Sequence, residues 1–582
     1  MQKYTYLYFA KKYRWRYLLG VAFLIVVDVL QLIVPSLLGD ITDKIKYNTL
    51  DTSGIIKYSL IIIGLAVGTA AFRFLWRYFI FGTARKIEKK LRENFYDKLQ
   101  SLSTSYFHNN KTGDLMAHAT NDISAIRMAM GPGVLMLADA VFLTIATIGI
   151  LLFKIDLRLT LLALIPLPFL SLISVKFGKV IHQKFRKVQE SFSNMTDKAQ
   201  ENFSGIRVVK AFSQENEEIE KFSEANRENF DKNVDMIKIQ GLFNPLVQLI
   251  SGFSFLIVIW YGGMLVIKGV ISLGDFVAFN SYLAMLTWPM MALGFVINRL
   301  QRGAASLDRI NEIFAEEPDI YDDKNTLKLD QIQGKIECRN LSFKYEDEEE
   351  YVLKDINLTI EPGETAAILG RTGSGKSTMV NLLLRLYNTE PGQLLIDGHD
   401  INKIPLEVVR ENIGYVPQDN FLFSNNISKN IAFSSPDSIS QKRVEQAARD
   451  AEVYDNIINF PNGFNTLLGE RGVNLSGGQK QRISIARALI KDPSILILDD
   501  SLSAVDTHTE EMILNRLKEI MKDKTSIIIS HRISTIKNAD RIFVLDNGYL
   551  IEKGDHESLL RNQKLYYELY QKQQLEEKIA NS

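Results

Sequence analysis

Long apolar runs dominate the first half of the chain and are missing from the second. Six of them lie at residues 17–39, 58–80, 132–153, 159–175, 242–267 and 276–298. About 18 to 20 apolar residues cross the hydrocarbon of a bilayer as a helix. The fourth run is short but bounded by Asp156 and Arg158 on one side and Lys176 on the other, while the fifth and sixth hold no formal charge. The connections alternate. Segments 40–57, 154–158 and 268–275 are short, and 81–131 and 176–241 are long, charged and poor in proline. In the first long segment Arg85, Lys86, Lys89, Lys90 and Arg92 interleave with Leu91, Phe95 and Leu99. That is a helical period, and it predicts that spans two to five continue past the lipid as two long hairpins.

A helical tail follows the last run (Leu300, Leu307, Ile310, Ile313), and then comes the acidic segment AEEPDIYDDKNTLKLDQIQG around Pro318. Beyond Ile336 short β-rich runs alternate with helical ones, the pattern of an α/β domain. The expected organisation is an amphipathic segment at 1–16, a transmembrane domain at 17–315, a linker at 316–332 and a soluble α/β domain at 333–582.

Charge sharpens this division. The chain has 68 basic and 68 acidic residues, but 36 basic and 30 acidic ones fall before Lys324. The first sixteen residues hold Lys3, Lys11, Lys12, Arg14 and Arg16 and no acid. Inner loops carry the excess of Lys and Arg, so both termini and the soluble domain are expected in the cytoplasm, beneath a cell inner or plasma membrane. No small-residue cleavage site follows the first run, which reads as a span and not a signal peptide. Cys338 is the only cysteine, which excludes a disulfide-stapled secreted protein. Balanced charge gives no support for nucleic-acid binding.

Several span residues are costly in hydrocarbon: Asp28 and Gln31 in the first, Arg73 and Arg77 in the second, and Asp139 in the third. Arg73 and Arg77 can snorkel to an interface, whereas Asp28, deep in its span, is expected to face a protein interior or a wet cavity. Pro35, Pro166, Pro168, Pro245 and Pro289 can kink helices and free carbonyls. Trp260, Trp288, Met290, Met291 and Phe295 are candidates for a pliable apolar pocket, although each taken singly is more often a packing or lipid contact.

The soluble half carries GRTGSGKST, Gly370, Arg371, Thr372, Gly373, Ser374, Gly375, Lys376, Ser377 and Thr378, between the apolar strand 366–369 and the helical run 379–386. Strand, glycine loop and helix form the context in which backbone N–H groups close on phosphate oxygens. Lys376 supplies a point charge to the outer phosphates and Ser377 a hydroxyl for Mg²⁺. A second strand, SILILDD, ends in Asp499 and Asp500, and Asp499 is assigned to Mg²⁺. The soluble half is expected to bind a nucleoside triphosphate with Mg²⁺.

Between these motifs lies NLSGGQKQR, and here the chain resembles an ATP-binding-cassette exporter of the half-transporter type. The likeness covers essentially its whole length. It implies an all-α six-helix transmembrane domain with long cytoplasmic hairpins joined to an α/β P-loop nucleotide-binding domain. Leu475, Ser476, Gly477, Gly478 and Gln479 match the family signature, which faces the ATP held by a partner domain, so that two chains build two composite sites. Tyr345 matches the aromatic that stacks on adenine, and His531 the histidine that contacts the γ-phosphate. Gln418 matches the glutamine that contacts Mg²⁺ and senses the membrane domain. GERG at 469–472 resembles an exporter-specific loop, and Ser503, Ala504, Val505 and Asp506 match a dimer-contact loop. The resemblance also implies short coupling helices at the hairpin tips, around 112–122 and 203–212.

One position departs from the family. A glutamate normally follows the Walker B aspartate as general base, and here Asp500 stands in its place. The side chain is one methylene shorter; misplacement by about 1 Å can cost about 10²-fold, and general bases contribute about 10²- to 10⁴-fold. The chain's own site is thus expected to bind ATP and hydrolyse it weakly, while its intact signature completes a competent site on a partner that supplies the glutamate. This resembles the degenerate-site subunit of heterodimeric bacterial multidrug exporters. The expected function is ATP-driven export of amphipathic drugs or lipophilic compounds, with Asp500, His531 and Gln418 at the chemistry. A lipid or peptide exporter and a homodimer are the alternatives; an ATP-gated channel or regulator and a membrane-tethered soluble ATPase belong to other classes.

Overall fold

The computed structural model describes residues 3–346, 348–434, 439–469, 472–501 and 507–580. The chain divides into two compact units, Met1–Gln100 with Asn110–Glu316, and Ser101–Asn109 with Glu317–Ser582.

The first unit is helical. After α1 (Tyr6–Lys12), whose first turn is capped by the Thr5 hydroxyl, come α2 (Arg14–Lys46) and α3 (Thr52–Ser101). In chain order the short α4 (Thr104–Asn109) of the second unit follows, and then α5 (Thr112–Ile155), α6 (Leu157–Ser204), α7 (Ile206–Ala211), α8 (Glu215–Ile267) and α9 (Leu273–Ala315). Six of these, α2, α3, α5, α6, α8 and α9, are long and apolar enough to cross a membrane. Rising 1.5 Å per residue, the 50 residues of α3 run about 75 Å, more than twice the roughly 30 Å of hydrocarbon. The charged remainder of each helix therefore extends well past its apolar stretch.

Local chemistry sets the ends and crossings. Ser272 and Asp275 exchange side-chain-to-backbone bonds in a capping box that starts α9. There α9 meets α2 at a glycine contact: a Cβ on Gly39 would lie 2.7 Å from the Gly274 carbonyl, so only glycine permits the approach. The Gly274 amide donates to Asp43 at 2.7 Å. Pro35 leaves α2 one hydrogen bond short, and just above it the Tyr282 hydroxyl donates to the Leu32 carbonyl at 2.7 Å. Pro132 sits inside a wide π-helical turn of α5, 129–133, which accommodates the missing amide.

Below the apolar stretches the helices are tied by ions. Arg309 of α9 donates its Nε to Asp122 of α5 at 3.0 Å, and Ser306 and His118 bond the same carboxylate. Within the spans, Arg73 and Arg77 are exposed. Asp28 is 1% exposed; Asp139, close enough to share a hydrogen bond with it, and Arg73 are the charged groups beside it.

The hairpin tips differ from expectation at one end. Residues 112–122 open the long helix α5, because Gly113 does not interrupt it and Asp122 is locked to α9. The separate short helix is α4, eight residues earlier, and it belongs to the second unit. At the other tip α7 is a separate six-residue helix within 203–212.

The second unit contains two sheets. The strands are β1 (Ile336–Phe343), β2 (Leu353–Ile360), β3 (Thr365–Gly370), β4 (Leu394–Ile396), β5 (His399–Asp400), β6 (Ile413–Val416), β7 (Ile495–Asp499), β8 (Thr525–Ile529), β9 (Arg541–Asp546) and β10 (Tyr549–Gly554). One sheet runs β2-β1-β4-β5 and is antiparallel. The other runs β10-β9-β3-β8-β7-β6, parallel except for β10. Strands β3, β7 and β8 are buried along almost their entire length, as central parallel strands covered on both faces must be. Cys338 lies in the core between the sheets at 3% exposure, and burial pushes its thiol up to about 12; it is a packing residue.

The linker is more ordered than its acidic composition predicts. The Asp319 carboxylate accepts from Ser105 at 2.9 Å and from Ser103. Asp322 pairs at 3.0 Å with Arg385, a guanidinium 2% exposed that also donates to the Ile404 and Tyr321 carbonyls. These bonds seat α4 on the α/β domain, where the Thr104 hydroxyl donates to the Leu386 carbonyl at 3.1 Å and Tyr387 meets His108 at 3.1 Å.

Candidate nucleotide site

Strand β3 delivers its last residue, Gly370, to a loop that turns back on itself before α10 (Lys376–Leu383). Gly373 (φ +81°) and Gly375 (φ +98°) adopt the left-handed backbone that the turn requires. A Cβ on Gly373 would meet nothing within 4 Å, so the space over the loop is open. Lys376 is folded under it, donating Nζ to the carbonyls of Gly370 (2.9 Å) and Arg371 (2.8 Å). Arg371, Thr372 and Gly373 are exposed, whereas Ser374, Gly375 and Thr378 are buried. Open glycine amides at a helix start, with a lysine beneath, form a cradle that fits a chain of phosphates.

Parallel pairing of β7 with β8, and of β8 with β3, brings the acids to the same edge. Asp499, 4% exposed, takes a hydrogen bond from Ser377. Burial and then the neighbouring Asp500 raise its carboxyl, against the pull of Lys376 and Ser377. Burial likewise lowers the Lys376 ammonium, which Asp499 and Asp500 partly restore. His531, two residues beyond β8, is exposed at the rim; partial desolvation of its ring and the nearby Lys376 hold it below the usual histidine value. Two carboxylates, a hydroxyl, an ammonium and an imidazole thus converge at one end of the sheet. An Asp–Ser pair beside a phosphate cradle is the hard-oxygen donor set that suits Mg²⁺.

Gln418 lies in the exposed turn after β6, the strand next to β7, with Val416 opposite Leu498. It therefore stands beside the Asp499 end of the sheet, although its side chain makes no described bond to Asp499 or Ser377. The Tyr345 hydroxyl lies 3.0 Å from Thr378 Oγ1, and its ring meets Phe343 and Tyr387 edge-on, each at 5.1 Å. Because Tyr387 also touches His108, the half-buried Tyr345 is one ring away from α4. Sequence reasoning did not find Tyr387 or Asp319, which no motif marks.

The signature residues lie at another helix start. Ser476 caps α11 (Gly477–Leu489): its hydroxyl accepts from the Gln479 amide at 3.2 Å, and Gln479 Oε1 accepts from the Ser476 amide at 3.0 Å. Ser476 and Gly477 are exposed and Gly478 half-buried. No described hydrogen bond or ion pair joins them to the glycine loop. Of GERG, Glu470 and Arg471 lie outside the described residues, as do Ser503, Ala504, Val505 and Asp506.

Comparison with known proteins agrees with this geometry. Residues 17–290 match the family model described as the ABC transporter transmembrane region, and residues 353–503 the one described as ABC transporter. The chain is 40% identical over 568 residues to the probable multidrug resistance ABC transporter ATP-binding/permease protein YheI of Bacillus subtilis, covering 98% of this chain and 97% of that protein. It is 35% identical over 569 residues to the multidrug resistance-like ATP-binding protein MdlA of Escherichia coli (98% and 96% covered). With an ATP-dependent lipid A-core flippase of Syntrophus aciditrophicus it shares 39% over 496 residues (85% and 82%). A solved bacterial Atm1-family ABC exporter with ATP bound superposes with a TM-score of 0.77 at 28% identity, covering 96% of this chain and 98% of that one. Six apolar helices, a phosphate cradle with its acids and matches across nearly the full length place the chain in the ABC transporter family, as an exporter half-transporter with one transmembrane domain and one ATP-binding domain.

Proposed function

We propose that the protein exports amphipathic drugs or lipophilic compounds across the cytoplasmic membrane, as one subunit of a heterodimer whose other half-transporter carries a glutamate after its Walker B aspartate. The observation that carries this reading is Asp500, placed directly after Asp499 on β7 and beside Lys376 and His531. Multidrug names among the relatives support the drug reading, and the flippase favours a lipid as the second choice.

In this proposal the loop from Gly370 to Thr378 and the ring of Tyr345 hold ATP, and Ser377, Asp499 and Gln418 hold Mg²⁺, which when bound supplies positive charge to the outer phosphates. Lys376 leaves its carbonyl partners for phosphate oxygens. His531, held neutral, offers one ring nitrogen as donor toward the terminal phosphate. Asp500 holds the attacking water from too far back, so turnover at this site is slow. Ser476, Gly477, Gly478 and Gln479, which no described bond joins to this site, complete the composite site of the partner. Exposed apolar groups fit the same assembly: Phe203, Val208 and Phe212 at the second hairpin tip, and separately Phe421, Phe423 and Phe433 around a groove of about 620 Å³ on the ATP-binding domain.

The test is ATP-dependent accumulation of a fluorescent amphipathic dye in inverted vesicles containing this chain with a glutamate-bearing half-transporter. Accumulation that requires both chains supports the reading. Current without dye movement under voltage clamp would instead support a gated channel.

A further inference from the structure

The loop that carries His531 is three residues long, 530–532, between β8 and the short α12 (Ile533–Ile536). Its two ends are anchored by the buried side chains of Ile529 and Ile533. The Ser530 hydroxyl accepts from the Arg532 amide at 3.0 Å and closes the turn. The remaining backbone bonds of the loop come from a helix 40 residues further along the chain, α13 (Leu565–Ala580). There Gln573 donates its Nε2 to the His531 carbonyl and accepts from the Ile533 amide at 2.8 Å through Oε1. One primary amide thus bridges over Arg532 and holds the backbone on both sides of it. That takes a side chain with a donor and an acceptor on the same carbon.

The position of Gln573 is itself fixed. At the start of α13 the Tyr566 amide donates to Glu552 of β10 at 3.0 Å, and the fully buried Tyr566 meets His556 through its hydroxyl at 2.6 Å. Tyr566, Leu569, Tyr570 and Gln573 follow the i, i+3, i+4, i+7 spacing of one helix face. The first three pack on the same core as Ile533 and Ile536, and Gln573 is where that face turns polar, about 10 Å along the helix from Tyr566. The bond to Ile533 alone would be an ordinary cap, since an amide at a helix start needs an acceptor. The bond to His531 is different. Its carbonyl stands at the exposed rim, where water serves as well, and ordering a glutamine there costs rotamer freedom. The two bonds together fix the peptide from which the imidazole projects.

We propose that Gln573 is a positioning residue for His531: it aims the imidazole at the terminal phosphate, so that α13 sets how strongly the site distinguishes ATP from ADP. The inference rests on the reading of His531 as the group that meets that phosphate. Gln573 itself touches no nucleotide.

The test is competition of the β,γ-imido analogue of ATP, and of ADP, each with Mg²⁺, against a fluorescent nucleotide bound to the purified full-length chain. Gln573→Met keeps the length of the side chain and removes both bonds without adding charge. His531→Ala should weaken the triphosphate about tenfold and leave ADP unchanged, the low end for a hydrogen bond to a charged group. Gln573→Met should weaken the triphosphate about fivefold, again sparing ADP, because a misaimed donor loses most of its bond. Gln573→Asn, one methylene too short for the bridge, should show the same selective loss without added apolar surface. Adding Gln573→Met to His531→Ala should change nothing further, as expected of one residue that acts through another. Gln574→Met removes an amide that donates to the Tyr570 hydroxyl at 3.1 Å and should bind both nucleotides as the unmodified chain does. Equal loss of triphosphate and ADP in the Gln573 variants would make Gln573 a structural residue and overturn the proposal. Unchanged binding of both nucleotides, or a further loss on top of His531→Ala, would overturn it too. Selective loss in His531→Ala without any in the Gln573 variants is failure of this inference alone, whereas an unaffected triphosphate in His531→Ala is failure of the His531 reading beneath it.

Discussion

The amide of Asp500 donates to the carbonyl of Ile529 at 2.8 Å, directly beyond the last β7–β8 pair, Asp499 with Ile529. This bond fixes the backbone at the position where the general base is expected. Asp500 has φ +44°, a left-handed conformation that aspartate tolerates better than most residues. With the Cα held by the sheet, carboxylate reach depends on side-chain length. Asp500→Glu should therefore cost little stability, at most about 1 kcal/mol, measured as a small fall in the denaturation midpoint of the full chain.

Lys376 sits buried on two carbonyls, its ammonium lowered by burial. Replacing it with methionine removes a charge that costs desolvation in the nucleotide-free state. Lys376→Met should leave the melting temperature without nucleotide unchanged or slightly raised, and should eliminate the rise that ATP produces. For the unmodified chain that rise corresponds to about 2.7 kcal/mol at ATP a hundredfold above its Kd. A persistent rise in the variant would contradict the assignment of the cradle.

Asp122 joins α5 to α9. Burial pushes its carboxyl up, but hydrogen bonds from Arg309, His118 and Ser306 outweigh that and hold it below the usual carboxylate value. A lowered folded pKa contributes stability that is complete above the unfolded value of about 3.9 and is lost as pH falls through the folded one. Asp122→Asn should cost about 1.5 kcal/mol, the low end for a charge-assisted bond, because Arg309 is half exposed. The cost should shrink below about pH 3.9. Chemical denaturation in detergent at pH 7 and pH 3 checks both statements.

Asp319 holds Ser103 and Ser105, and through them α4, beside Tyr387 and hence Tyr345. Asp319→Ala should leave the ATP-induced rise in melting temperature intact, and should lower substrate-stimulated ATPase of the assembled exporter several-fold. Equal loss of both would make Asp319 a folding residue only.

The six apolar helices and the nucleotide cradle were legible in the sequence because each is local. Spans announce themselves by length, and Gly370–Thr378 packs turn, helix start and charge into nine consecutive residues. What the sequence concealed depends on partners far apart along the chain. Ser103 and Ser105 meet Asp319 across 216 and 214 residues, and Asp122 meets Arg309 across 187. No period connects them. The candidate tip at 112–122 rests on the family resemblance alone, and the structure runs that segment into the long helix α5. Of the aromatic and Met candidates for a pocket, Met291 and Phe295 do line a cavity, while Trp260 and Trp288 are exposed; a continuous apolar run does not distinguish one face from another.

The most direct test is Mg²⁺-dependent ATPase of the purified chain alone, unmodified beside Asp500→Glu. Turnover near zero in the unmodified chain and at least tenfold higher in Asp500→Glu is the predicted result, since carboxylate reach near 1 Å governs about 10²-fold in rate. Robust turnover in the unmodified chain, unchanged by the substitution, would contradict it and make this exporter a homodimer that hydrolyses ATP with an aspartate.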